Sequence, residues 1–157
     1  KGAMAMADAL KVNSALKSLN LRSNSIQQKG AIAIADALKV NCSLTGLDFS
    51  CNSIPQEGAM ALADALKVNC SLTSLDLSGN DIQLLGLNFI AKAVTYNPTL
   101  LHLDVNHNCG FTFSGLQKCT NTFLNLQGLL RILIGEDGAQ ILGTAYQIKT
   151  WCLTLVK

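Results

Sequence analysis

The residues best suited to metal chemistry lie between positions 102 and 109. His102, His107 and Cys109 carry imidazole nitrogens and a thiol, which are zinc ligands in proteins. Their His-x4-His-x-Cys spacing matches no common zinc site. Because His102 and His107 differ by five positions, an extended strand would direct their imidazoles to opposite faces. The sequence therefore predicts no metal site.

Catalytic motifs are also missing from the sequence. Ser, His and Asp all occur, but no Gly-x4-Gly-Lys-Ser/Thr phosphate loop and no Gly-x-Ser-x-Gly nucleophile elbow is present. Glu136 and Asp137 are neighbours in a loop-like segment, which does not place two carboxyl groups on either side of a substrate. We therefore predict a protein that is not an enzyme and that needs no cofactor.

Composition excludes two further classes of partner. The formal net charge is only +2 and charged residues make up 14% of the chain, so no basic surface for nucleic acid or an anionic membrane is expected. Aromatic residues, at 5%, are too few for base-stacking platforms. Polar residues interrupt every apolar run, so no membrane-spanning helix is predicted.

A 28-residue internal repeat decides the fold. Residues 2–29, 30–57 and 58–85 align without a gap, and a diverged fourth unit begins at Gly86. Each of the first three units reads Ala-Asp-Ala-Leu-Lys-Val-Asn, followed by Leu-x-x-Leu-x-Leu/Phe-x-x-Asn-x-Ile. One domain built from repeats is therefore expected.

Each unit combines a helix with a strand. In the third unit, residues 58–68 are rich in Ala and Leu, and Gly58 and Asn69 are suited to the two helix ends. Its apolar helix face consists of Leu62, Ala63 and Leu66. From Leu72 to Leu77 the pattern changes to strand alternation, because Leu75 and Leu77 are separated by a polar residue.

A regular spacing of asparagines follows the strands. We expect these side chains to be buried and to hydrogen-bond to loop backbone groups, forming a ladder of stacked copies. The four members are Asn24, Asn52, Asn80 and Asn108. Because one unit cannot bury its own apolar face, stacking of the units should create the core.

This repeat resembles the leucine-rich repeats of the ribonuclease-inhibitor type, and its wording is most similar to the repeat arrays of NOD-like receptors. The resemblance implies an α/β leucine-rich-repeat solenoid, a curved horseshoe segment with parallel strands on the concave face and helices on the convex face. It also implies recognition of a protein or microbial ligand on the concave face, as in innate immunity, in the cytoplasm. It brings no catalytic residues.

The organisation predicted is four 28-residue repeats over residues 1–108 and two atypical repeats over 109–157 that act as a C-terminal cap. Within the second range, Leu129-x-x-Ile132-x-Ile134 copies the strand motif, with a 29-residue step from Leu100 that is one longer than the template. The alternative is that residues 109–157 do not derive from repeats.

The side chains that flank the strand leucines should line the concave face in three columns. The first column is Ser18, Gly46, Ser74, His102 and Arg131; the second is Asn20, Asp48, Asp76, Asp104 and Leu133; the third is Arg22, Ser50, Ser78, Asn106 and Gly135. As ligand-binding residues we select Arg22, Asp48, Asp76, His102, Asp104, Asn106 and Arg131.

The three aspartates of the second column would form an acidic stripe, since neighbouring strands lie about 4.8 Å apart. Such a stripe favours a basic partner or a cation. The alternative is that Leu-Asp-Leu-Ser is simply the consensus wording of the repeat and that its aspartates bind nothing.

Two Asn-x-Ser sequons, at Asn41 and Asn69, recur at the 28-residue period. They would accept glycans in a secreted protein, but here we interpret them as a repeated helix-to-strand turn. Cys42 and Cys70 occupy the same place in successive repeats, which favours free thiols over a framework of disulfides among the six cysteines.

The function predicted from these patterns is an intracellular protein-protein interaction module, part of a sensor or regulator, whose concave face binds a protein ligand. A structural spacer, or a regulator of an enzyme such as a small GTPase or a nuclease, is the alternative. Self-association through exposed repeat ends is a further expectation, because a stacked array leaves an apolar end.

Overall fold

The computed structural model of the protein describes residues 1–108 and the backbone of residues 131–133. Within these residues, helices and strands alternate along the chain. The helices are α1 (Gly2–Val12), α2 (Gln27–Leu38), α3 (Gln56–Leu66) and α4 (Gln83–Tyr96), and the strands are β1 (Ser18–Asn20), β2 (Gly46–Asp48), β3 (Ser74–Asp76), β4 (His102–Asp104) and β5 (Arg131–Leu133).

The five strands form one parallel sheet in chain order. The pairing of β1 with β2 aligns Leu19 with Leu47, and the next two pairs continue the same 28-residue register. Between β4 and β5 the register changes by one residue, so that His102 lies opposite Arg131. This confirms the 29-residue step predicted between these two strands. The cap predicted for residues 109–157 otherwise lies outside the described residues and remains a prediction.

The helices pack side by side on one face of this sheet, α1 against α2, α2 against α3 and α3 against α4. Apolar residues at equivalent places in successive repeats are buried between the two layers, as with Ile34, Leu62 and Ile90. The predicted apolar face of the third helix, which includes Leu62 and Leu66, belongs to this core. Burial of each such side chain contributes about 1.5–3 kcal/mol to folding.

Glycine near the helix start has a role that differs from the prediction. The pattern predicts Gly58 at the entry of the third helix, but α3 begins two residues earlier and Gly58 lies inside its first turn. A Cβ at this position would lie 2.7 Å from Cγ2 of Ile54 and 3.0 Å from Cβ of Ala31. Gly58 is therefore needed because neighbouring helices approach closely, and not as a helix cap.

The strands are shorter than predicted. The pattern from Leu72 to Leu77 predicts a six-residue strand, whereas β3 contains only Ser74–Asp76. The alternation itself is confirmed, since Leu75 and Leu77 are buried while Ser74 and Asp76 are half-exposed. Backbone hydrogen bonds between repeats continue beyond the regular strand, since the N–H of Leu77 donates to the carbonyl of Asp104 at 2.7 Å and that of Gly79 donates to Asn106 at 2.9 Å.

The predicted asparagine ladder is present and is buried from its second member onward. Asn80 Oδ1 accepts the backbone N–H groups of Asn52 and Ile54, both at 3.0 Å, and its Nδ2 donates to the carbonyls of Phe49 and Leu77. One side chain thus connects two consecutive loops. Among residues 1–108, no helix is long and apolar enough to cross a membrane.

Candidate binding surface

The exposed face of the sheet carries the second predicted column of side chains. The parallel register places Asp48 beside Asp76, and Asp76 beside Asp104. We call these three residues the acidic column. All three side chains are half-exposed on the face of the sheet opposite to the helices. Asn20 occupies the same position on β1.

Each member of the acidic column also stabilises the turn that follows its strand. Oδ1 of Asp48 accepts the N–H of Ser50 at 2.9 Å and its hydroxyl at 2.6 Å. Asp76 and Asp104 accept the backbone N–H two residues later at 2.8 and 2.9 Å. These are Asx turns, in which a side-chain oxygen replaces a backbone acceptor. The consensus wording Leu-Asp-Leu-Ser therefore has a structural reason.

The turn uses only Oδ1 of each aspartate, so Oδ2 and the negative charge have no part in it. The turn at Asn20 has the same geometry, with Oδ1 accepting the N–H of Arg22 at 2.9 Å. An amide oxygen is thus sufficient for the turn, and the negative charge of the three aspartates is not required by it. The charge remains available on the surface of the sheet.

Asp104 lies in an environment that is unfavourable for its negative charge. Its pKa is raised above the usual value of 3.8, chiefly because partial burial removes water from the carboxylate and further because the negative charge of Asp76 lies nearby. The backbone N–H of Asn106 and the imidazole of His107 act in the opposite direction without cancelling this rise. A positive charge placed between Asp76 and Asp104 would offset the repulsion between the two carboxylates.

This raised pKa predicts a pH-dependent effect of Asp104→Asn. The ionised carboxylate is less stable in the folded chain than in the unfolded chain, so its penalty appears as pH rises through the folded pKa and is absent below 3.8. Asp104→Asn keeps the turn acceptor and removes the charge. We expect the variant to be more stable than the parent at pH 7 and equally stable at pH 3, measured by urea unfolding at both values. A gain of the same size at both values would show that charge is not its cause.

The side chains of the first column lie on the same face of the sheet as the acidic column. Gly46 and Ser74 are small, so the centre of the surface is open, and His102 is exposed on β4 beside them. Arg131, on β5, lies in register with His102. Arg22 is exposed beyond the end of β1.

Two members of the third column do not line this surface as predicted. Ser50 is 1% exposed and Asn106 is 6% exposed. Ser50 directs its hydroxyl to Oδ1 of Asp48 at 2.6 Å. The Asx turn alone is not the reason, because the same turn at Asn20 is followed by an exposed Arg22. Asn106 presents little accessible surface to a ligand. Within the described part of the chain, its Oδ1 is buried without a hydrogen-bond partner.

The histidines considered as metal ligands lie in different local structures. His102 belongs to β4, whereas His107 lies in the following loop with a positive φ of 54°. Cys109 lies outside the described residues. Among the residues that are described, no three His, Cys, Asp or Glu side chains form a group that could hold a metal ion.

The two sequon asparagines are structural. Nδ2 of Asn41 donates to the carbonyls of Leu10 and Asn13, both at 2.8 Å, and the equivalent nitrogen of Asn69 donates to Leu38 and Asn41. Both residues are at most 4% exposed, so their amide nitrogens cannot carry a glycan in the folded chain. Cys42, Cys51 and Cys70 are free thiols.

Sequence reasoning missed that these turn asparagines form a second ladder across the repeats. The same position in the fourth repeat, Asn97, donates to Leu66 and Asn69. The signal is present in the sequence, because Asn recurs there at the 28-residue period. The period alone indicates a turn, and only the geometry shows that each amide reaches back to the preceding repeat.

The repeats match a known family along most of their length. The family model described as "Leucine Rich repeat" matches residues 12–35, 40–63, 68–91 and 96–118, which together make up more than half of the chain. The starts of these segments follow the same 28-residue period as the parallel sheet. The protein belongs to the leucine-rich repeat family, and its described part is a leucine-rich-repeat solenoid with strands on the concave side and helices on the convex side.

Solved structures with the same fold include two similar domains. The chain resembles the structure named "Leiomodin-1 Actin-Binding Site 2 (ABS2)" with a TM-score of 0.76 and 19% sequence identity, covering 91% of this chain and 84% of that one. It also resembles a tropomodulin C-terminal domain of Caenorhabditis elegans with a TM-score of 0.76 and 12% identity, covering 92% and 91%. No curated protein matches by sequence.

Proposed function

We propose that this protein is an intracellular interaction module whose concave face binds a basic segment of a protein ligand. The observation that carries the proposal is the acidic column, Asp48, Asp76 and Asp104, in which three carboxylates lie side by side on adjacent strands. Their mutual repulsion is relieved when Lys or Arg side chains of a partner approach. We propose His102, Arg22 and Arg131 as flanking contacts, and Asn106 as a minor one because it is buried.

The structural neighbours support a protein as the class of ligand. The leiomodin structure is named as an actin-binding site, so a solenoid of this fold carries a protein-binding site in that protein. At 19% identity the similarity extends to the fold alone, and the proposal does not name actin as the partner.

The wider role that we propose is that of a cytoplasmic sensor or regulator similar to the NOD-like receptors, without catalytic activity or a cofactor. The similarity of the consensus wording Ala-Asp-Ala-Leu-Lys-Val-Asn to those arrays supports it. The low net charge of +2 supports a ligand other than nucleic acid or an anionic membrane. A structural spacer, or a regulator of a small GTPase or a nuclease, is the competing role.

Affinity capture from cell lysate tests the proposal with two matched triple variants. The first is Asp48→Asn, Asp76→Asn and Asp104→Asn, which retains the Asx turns as Asn20 does natively. The second is Asp8→Asn, Asp36→Asn and Asp64→Asn, which removes the same charge from the helix face. Those helix aspartates form exposed pairs with Lys11, Lys39 and Lys67, which contribute little to stability.

We expect the parent and the helix-face variant to capture the same partner, and the acidic-column variant to bind it about 100-fold more weakly, with the largest loss at low salt. If both variants capture the partner equally well, the aspartates act only in their turns. If the parent captures no protein, or if the acidic-column variant captures every protein that the parent does, the spacer role is favoured.

A further inference from the structure

The acidic column has a regular spacing that a partner must match. Asp48, Asp76 and Asp104 lie on adjacent strands in parallel register. Neighbouring strands lie about 4.8 Å apart, so the three carboxylates span about 10 Å at right angles to the strands. A partner that engages all three must therefore present three positive charges over about the same length.

An α-helix presents side chains at this spacing. Side chains at positions i, i+4 and i+7 lie on one helix face and span about 10.5 Å, since the rise is about 1.5 Å per residue. In an extended segment, side chains of one face recur at every second residue, so three of them span about 13 Å. In a polyproline II segment, three side chains of one face span about 19 Å. Of these conformations, the helix fits the acidic column best.

The column beside the acidic column leaves room for a helix backbone. Ser18, Gly46 and Ser74 lie there in register, and all three are small. A Cβ at Gly46 would lie 3.5 Å from Oγ of Ser18 and, apart from its chain neighbours, would have no other described residue within 4 Å. The surface above these residues is therefore open. It ends at β4, where the exposed His102 continues the column.

Asn106 independently indicates a missing hydrogen-bond donor at the Asp104 end of the column. Its side chain is 6% exposed and hydrogen-bonds to Asp104. Within the described part of the chain, its Oδ1 is buried and has no hydrogen-bond partner. The equivalent Ser50 leaves no such atom, because its hydroxyl donates to Asp48 at 2.6 Å. An unsatisfied acceptor thus lies beside a carboxylate only at this end of the described column.

An arginine side chain can satisfy both acceptors. Its guanidinium group carries five N–H donors in a planar fork that bonds to a carboxylate through two of them. When the fork occupies Asp104, the amide of Asn106 is released from the carboxylate, and its rotation turns Oδ1 toward a remaining N–H. A lysine ammonium is a compact point charge and matches paired acceptors less well.

We infer that the partner segment is an α-helix that crosses the strands, with basic residues at i, i+4 and i+7 facing the acidic column and an arginine opposite Asp104. The inference rests on the proposed function, because it specifies the conformation of the basic segment proposed there. The helix backbone lies over Ser18, Gly46 and Ser74.

Calorimetric titration of the full chain with four peptides of equal length and charge tests the inference. The first is an alanine-rich helical peptide of about 20 residues with arginines at i, i+4 and i+7. The second has the same composition with arginines at i, i+2 and i+5, which lie on different helix faces. The third is an extended peptide in which threonines separate three arginines. The fourth is the first peptide with lysines in place of arginines.

We expect the first peptide to bind about 10-fold more tightly than the second and third, and about 3-fold more tightly than the fourth. Asn106→Ser introduces the residue that the second and third repeats carry at this position. This variant should lose the preference for arginine over lysine and keep the preference for the helix. The acidic-column variant should lose binding of the first peptide, whereas the helix-face variant should retain it.

Equal binding of the three arginine peptides, or tighter binding of the extended one, would overturn the inference and leave the proposed function standing. An arginine preference that survives Asn106→Ser would overturn the assignment of an arginine to Asp104. Binding of none of the four peptides would overturn the basic ligand of the proposed function together with this inference.

Discussion

Replacing Asn80 by Ala is expected to lower the free energy of unfolding by about 3–5 kcal/mol, because several buried polar groups lose their partners at once. Asn80 is 2% exposed and bonds to two N–H groups of the preceding loop as well as to carbonyls of its own loop. Urea unfolding followed by circular dichroism measures the change.

Asn24 provides the matched control for this substitution. It holds the same position in the first repeat and makes the same bonds within its loop, but it is exposed and, in the described part of the chain, accepts nothing from another repeat. We expect Asn24→Ala to cost less than about 1 kcal/mol. Equal losses for the two variants would show that the asparagine acts within its own loop and that the ladder between repeats adds no stability.

Gly58→Leu is expected to destabilise the chain by about 3 kcal/mol through steric conflict. A side chain at this position must displace Ile54 or push α3 away from α2, because Cγ2 of Ile54 lies 2.7 Å and Cβ of Ala31 lies 3.0 Å from the new Cβ. Thermal unfolding measures the loss. Gly2→Leu, at the same template position but with nothing within 4 Å of the added Cβ, should leave the stability unchanged. Similar losses in the two variants would attribute the role of Gly58 to the helix backbone and not to helix packing.

The 28-residue period and the alternation of apolar and polar residues predict the parts of this fold that depend on burial. The 28-residue repeat places Leu47 beside Leu75 and Asp48 beside Asp76, and the structure has this register. The register follows from the sequence because a shift by one residue would turn every buried leucine toward water. The 29-residue step to β5 is predicted in the same way.

Features that depend on local geometry are not predictable from the pattern. Alternation assigns Ser50 and Asn106 to the concave face, but both are buried, whereas Arg22 at the equivalent position of the first repeat is exposed. Glycine is common at helix ends, so the pattern indicates a cap at Gly58, whereas its function depends on the distance to the helix of the preceding repeat. Such distances are set by the stack and not by the nearby sequence.

The candidate site is predictable in its position and not in its ligand. The stacking of the repeats determines where the acidic column lies, whatever the chain binds. Each of its aspartates also accepts a hydrogen bond in the turn that follows its strand. The spacing of these aspartates is the same whether they bind a partner or are simply part of the repeat consensus. The Asx turn at Asn20 makes this question experimental, because it shows that Asn can replace Asp without loss of the turn.

The most direct test of the binding surface is carboxylate labelling of the free chain and of its complex with the captured partner, followed by mass spectrometry. Carbodiimide coupling modifies accessible Asp side chains, and the chain carries an internal control in Asp8, Asp36 and Asp64 on the helix face. We expect the partner to protect Asp48, Asp76 and Asp104 and to leave the helix-face aspartates as reactive as before. Protection of the helix-face aspartates, with the acidic column unchanged, would contradict a concave binding surface and place the partner on the convex side.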